Sequence, residues 1–135
     1  MEYVDEGDRI VARLDPGEGV IESLEALRET AEVTGGFFFG IGAVDQVTLG
    51  HYDVDEEDYK EERIEEQLEV TSFQGNIGPD KIHAHIQLAD RAFDSVGGHC
   101  AGARVSGTFE IAVFRGETIL THHLDHSTGL DVFDI

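Results

Sequence analysis

The sequence predicts an α+β domain built on a largely antiparallel, strongly curved sheet. Three observations carry this expectation. An amphipathic helix pattern occurs once, near the start; short segments with alternating apolar residues fill most of the remaining chain; and the connections between them are brief and rich in glycine. With 135 residues, 40% of them hydrophobic, the chain is the size of one ordinary domain with its own core. The expectation is a single domain over residues 1–135, with 1–8 and 131–135 as tails.

The first strand is read from Arg9-Ile10-Val11-Ala12-Arg13-Leu14, whose apolar residues alternate. Asp15 is placed to cap a helix, Pro16 suits a first helical turn, and Glu18 stands three residues after the cap as a capping box requires. Val20, Leu24, Leu27 and Ala31 then recur at helical spacing, so the helix is expected to run to about Val33 and to end at Gly35-Gly36.

Phe37 to Val44 is apolar without alternation, which suits a strand buried on both faces and bent at Gly40 and Gly42. Its G-x-G lacks a third glycine and a following helix, which excludes a dinucleotide-binding loop. Gln46 to Tyr52 reads as another strand. Asp53 to Glu66 is acidic and expected to be exposed, with Tyr59 as an anchor. Leu68 to Phe73 alternates and leads into a turn at Gly75 to Asp80; Gly102 to Ala112 and Glu117 to Leu124 complete the strands, joined at Arg115-Gly116.

The chemistry is concentrated in Lys81-Ile82-His83-Ala84-His85-Ile86-Gln87-Leu88. Ile82, Ala84, Ile86 and Leu88 alternate with His83, His85 and Gln87, so both histidines share the face opposite the buried one. Residues two apart on a strand are roughly 6.5 Å apart at the backbone, from which two imidazoles can lean onto one ion. His99 is the candidate third ligand, because Asp90 to Gly98 has the composition of a turn that returns a second strand beside the first. Three neutral imidazoles with an open fourth position suit a zinc ion that does chemistry, whereas structural zinc is usually closed by four cysteine-rich ligands. The lone cysteine, Cys100, excludes a cysteine-rich site and an intramolecular disulfide. The alternative for an H-x-H pair is histidines packed or solvated on a sheet face.

Charge narrows the partners. The chain has 29 acidic against 9 basic residues, a net charge of -20, with Lys60 and Lys81 its only lysines. The acids are spread along the chain, as on a surface adapted to high salt, so a halophile's cytoplasm is expected. No basic patch offers the counterion release that nucleic-acid binding needs. No apolar run reaches membrane-spanning length, and the first residues lack the pattern of a signal peptide; the expected location is the cytoplasm.

Taken together, "LDPGEGVIESLEAL", "GFFFGIGAVDQVTLGHYD", "LEVTSFQGNIG", "HAHIQLAD", "VGGH" and the closing "TGL" resemble, in that order, the plants-and-prokaryotes-conserved domain, known as PPC or PCC. The resemblance implies a curved, mainly antiparallel sheet of about seven strands with flanking helices, similar to the fold of acetolactate decarboxylase, and assembly as a homotrimer. It also implies a metal, usually zinc, on the H-x-H and G-G-H histidines, here His83, His85 and His99. His122 and His123 stand where the family more usually has a basic residue. Plant members carry a DNA-binding AT-hook ahead of the domain, and this sequence contains no such arginine-glycine-proline segment.

The functional expectation is a trimeric protein whose three-histidine site holds Zn²⁺ or another divalent metal and acts on, or binds, a small carbonyl-type ligand. Glu110 and Asn76 are the candidate catalytic carboxylate and positioning amide, with Arg104 behind them. The alternative is a non-catalytic DNA-binding or regulatory module. His122 and His123 are adjacent on an expected strand and point to opposite faces, so they and His126 are read as a solvated strand end rather than a second site.

Overall fold

The structure is a computed structural model describing residues 1–135. Its elements in order are β1 (Glu2–Asp5), β2 (Arg9–Leu14), α1 (Val20–Thr30), β3 (Gly36–Asp53), β4 (Asp58–Ile64), β5 (Leu68–Ile77), β6 (Ile82–Ala89), β7 (Ser95–Arg115), β8 (His122–Asp125) and β9 (Leu130–Phe133). The first seven strands form one antiparallel sheet in the order β1-β2-β7-β6-β5-β3-β4, with β3 also paired to β7. β8 and β9 form a separate two-stranded hairpin.

Two long strands produce the curvature. β3 has 18 residues and β7 has 21, so they pair along most of their length and still offer their outer edges to other strands. β5 pairs with the first half of β3, β6 with the first part of β7, and β5 with β6, which closes β3, β5, β6 and β7 into a ring. Register shifts between Gly40 and Gly42, and again near Val44, bend β3 where the sequence has its glycines. Inside lies one cluster of 24 buried residues. At its centre Phe73 stands between Phe38 and Phe109, with ring centroids 5.1 and 5.2 Å away.

The helix covers this core with Val20, Leu24 and Leu27, all buried. Its ends differ from the sequence expectation. Asp15 to Glu18 forms a turn in which the Glu18 amide donates to the Asp15 carbonyl and Gly17 has φ +90°. Pro16 and Gly17 therefore occupy turn positions that favour them, not a first helical turn. The Glu18 carboxylate accepts from the Asp15 amide, and Gly19 precedes the helix with no side-chain cap. At the other end Glu32 has φ +50° and the Val33 amide donates to the Arg28 carbonyl, a Schellman closure reached before Gly35.

Other boundaries also move. Phe37 to Val44 and Gln46 to Tyr52 are one strand, and its first half is not buried on both faces: Phe38 is buried while Phe37, Phe39 and Ile41 are each more than half exposed. The acidic stretch after Asp53 contains β4, and Gly75 and Asn76 lie within β5 rather than in a turn. Gly102 to Ala112 is the middle of β7, and Glu117 to Thr121 is not a strand. Both tails carry strands, β1 against β2 and β9 against β8. β1 is held further by Arg115, whose guanidinium donates to both Asp5 carboxylate oxygens at 2.6 and 2.8 Å. One helix, rather than several, flanks the sheet, and it is not long and apolar enough to cross a membrane.

Candidate metal centre

β6 carries the alternation read from its sequence. Ala84, Ile86 and Leu88 are buried in the core, and His83, His85 and Gln87 occupy the other face. A tight turn then reverses the chain: the Asp90 carboxylate accepts from the amides of Ala92 and Asp94. β7 begins directly at Ser95, and His99 lands opposite His85. On its other edge His99 pairs with Gly50 of β3. A Cβ at Gly50 would fall on the Tyr59 hydroxyl, so the glycine leaves room for the Tyr59 ring to lie edge-on to His99, with centroids 6.2 Å apart.

The three imidazoles converge. The Nε2 atoms of His83 and His85 are 3.3 Å apart, and one ring nitrogen from each of His83, His85 and His99 lies within 4.8 Å of the others. Nitrogens bound tetrahedrally at about 2.0–2.1 Å are separated by about 3.3–3.4 Å. The first pair already has that spacing, and the third needs only a small side-chain adjustment. Burial holds the pKa of His83 down at about 4, helped by the neighbouring His99 and His85 and by Lys81. Burial lowers that of His99 as well. Both are therefore neutral near pH 7, which is the state that ligates a metal. Cys100 follows His99 but points into the core, where burial pushes its thiol up to about 12; it is not part of the cluster. The donor set thus fits a borderline divalent metal held by three imidazole nitrogens.

Two clefts meet at this cluster. One, of about 630 Å³, is lined by all three histidines together with Tyr52, Tyr59, Lys81 and residues 130–132 of β9. The other, of about 470 Å³, is lined by His83, His85, Gln74, Asn76 and the rings of Phe37, Phe39 and Phe114. Cross-strand register explains the second. Phe37, Asn76 and His83 form one row across β3, β5 and β6, and Phe39, Gln74 and His85 form the next. Asn76 Oδ1 is buried there without a hydrogen-bond partner.

The remaining candidates are elsewhere. Glu110 lies towards the far end of β7 from His99 and lines a separate cleft with Val11, Phe39 and Ile41, so within one chain it does not reach the histidines. Arg104 is paired to Asp45 at 2.7 Å. His122 Nδ1 is 3.1 Å from Asp80, whereas the neighbouring His123 is exposed near Asp134, the opposite orientations expected of adjacent strand residues. The cleft-lining roles of Lys81 and Asp131 were not read from the sequence. The one signal for them was a lysine two residues before His83 in a chain with only two.

An antiparallel sheet closed on itself, with three imidazoles on its outer face, defines the class of this protein. More particularly, the chain belongs to the Plants and Prokaryotes Conserved (PCC) domain family, whose model matches residues 1–116. Among solved structures it is similar to a candidate DNA-binding protein from Ralstonia eutropha, with 26% identity, 98% of this chain and 95% of that one covered, and a TM-score of 0.90. It is also similar to a metal-containing protein from Archaeoglobus fulgidus, with 26% identity, coverage of 98% and 96%, and a TM-score of 0.86. The fold extends to α-acetolactate decarboxylase from Bacillus subtilis at 10% identity, a TM-score of 0.58 and coverage of 78% and 51%. Among curated proteins, the bifunctional protein GlmU of Synechococcus sp. (strain JA-3-3Ab) is 32% identical over 103 residues, which are 75% of this chain and 16% of that protein.

Proposed function

We propose that the protein is a homotrimer in which His83, His85 and His99 of each chain hold a divalent metal, most simply zinc, and present its open side to a small carbonyl-type ligand. The observation that carries this reading is the convergence of three imidazole nitrogens within 4.8 Å, at a surface that opens into clefts instead of being closed by a fourth side chain. A metal bound there supplies a Lewis acid for a carbonyl or a water. Asn76, beside His83 in the smaller cleft, serves as the positioning amide through its Nδ2 donor. Glu110 acts as a carboxylate at the site only if a neighbouring copy presents it. The similarity to a metal-containing protein supports the same reading.

The trimer is supported by the exposed patch of Val11, Phe37, Phe39, Ile41 and Phe114, an apolar sheet face opposite the one on which the helix packs. A cytoplasmic, high-salt setting is supported by the net charge of -20. The competing reading, a DNA-binding or regulatory module, takes its support from the description of the Ralstonia neighbour. Against it, seven of the nine cations already face a carboxylate within 4.0 Å, which leaves little positive surface for phosphates.

Metal analysis of protein purified without an affinity tag, paired with a small-ligand thermal-shift screen, tests the proposal. The expected result is stoichiometric zinc. Wild-type protein that is loaded with excess zinc, desalted at neutral pH and retains none overturns the metal reading. A duplex DNA shift competed by one sequence and not by others would put the regulatory reading first.

A further inference from the structure

The larger cleft contains one cation. Lys81 precedes β6, its side chain about one-third exposed, and it is the only lysine or arginine lining the space beside the three histidines. The other lysine, Lys60, stands out in solvent on β4. Lys81 Nζ donates to Asp131 Oδ2 at 2.8 Å, and Asp131 lines the same cleft from β9. The rest of that wall is apolar, from Leu130 and Val132.

We propose that this cleft binds a small organic acid through its carboxylate on Lys81, and that Asp131 occupies the carboxylate position until the acid displaces it. The proposal rests on the reading of the cleft as a small-ligand site and names the ligand's class. A chain of charge -20 repels organic anions, so a carboxylate binds only where a local cation offsets that field. Lys81 supplies it within the space the histidines face. The existing partner is exchangeable for two reasons. An ion pair with both members partly exposed contributes little net stability, so replacing one carboxylate by another is close to neutral. Asp131 also belongs to a hairpin that shares no ladder with the main sheet. That hairpin has other attachments, from His122 to Asp80 and from the Tyr52 hydroxyl to the Thr128 carbonyl, so it remains seated when Asp131 lets go. Leu130 and Val132 then pack against the apolar part of a short-chain acid.

The test is calorimetric titration of propionate, with propionamide as the uncharged control, into wild-type protein, Asp131→Asn, Lys81→Met and Lys81→Arg, each zinc-free and zinc-loaded. Propionate should bind and propionamide should not. Asp131→Asn should tighten propionate binding about tenfold, the factor expected if the internal pair is formed about nine-tenths of the time. In zinc-free protein Lys81→Met should abolish binding and Lys81→Arg should retain it, which separates loss of charge from loss of fold. If Lys81–Asp131 is only a structural latch, Asp131→Asn will leave propionate affinity unchanged or weaker, and the proposal falls. It falls equally if neither wild type nor Asp131→Asn binds propionate, or if zinc-free Lys81→Met still does. Propionate binding with this pattern in protein that cannot retain zinc removes the metal reading and leaves this one standing.

Discussion

His85 on β6 and His99 on β7 are directly opposed in the antiparallel register, with ring centroids 5.8 Å apart, and His83 lies 5.1 and 5.2 Å from them. The cluster is therefore supported by two adjacent strands whose other faces are core. Replacing one imidazole removes a ligand without opening a cavity. His83→Ala, His85→Ala and His99→Ala should each lose bound zinc in native mass spectrometry and keep the wild-type assembly, while His122→Ala and His123→Ala keep the metal. Zinc retained by His99→Ala would show that the third ligand lies elsewhere.

Acid should act on the same residues. His83 has its pKa lowered from 6.5 to about 4, chiefly by burial, so the fold favours the neutral ring. His83 therefore contributes stability that is fully present above 6.5 and is lost as pH falls towards about 4. Protons compete with the metal for the same nitrogens, so zinc should also leave as the solution is acidified. Denaturant melts of zinc-free protein across this range should fall more steeply for wild type than for His83→Phe, and metal release should be followed by a chromophoric chelator. Equal pH slopes in the two proteins would contradict the assignment.

Assembly is predicted from Phe37, Phe39 and Ile41, exposed by 56, 58 and 57%. In high salt, light scattering should give a trimer, and Phe39→Glu or Ile41→Glu should give monomer. At 0.01 M salt the Debye length grows to ~30 Å, so repulsion between acidic subunits is poorly screened and the wild-type trimer should dissociate or unfold. A monomer mass in high salt would remove the trimer.

The core prediction concerns Phe73, fully buried between Phe38 and Phe109. Phe73→Ala should cost about 3–5 kcal/mol, the usual range for removing a buried ring. Chemical denaturation in high salt measures it. A loss below about 1 kcal/mol would mean that the ring cluster is not the centre of the core.

Much of this protein was determined by residue order alone, because strand alternation is a local property. Ile82 to Leu88 assigns His83 and His85 to one face whatever the strand pairs with, and the polar stretch after Ala89 marks where the chain must reverse. The acidic surface and the family motifs are likewise legible without coordinates. Tertiary structure decided which strands meet, and that depends on register, bulges and strand length, none of which a local period encodes. Thus β3 and β7 run through their glycines as single long strands, closing the ring that sets His85 against His99 and Asn76 beside His83. The same register carries Glu110 away from the histidines, although it shares β7 with His99. Lys81 and Asp131, fifty positions apart, meet only because the chain end folds back as a hairpin over the cleft. A long-range contact between two charged side chains leaves no period in the sequence to be read.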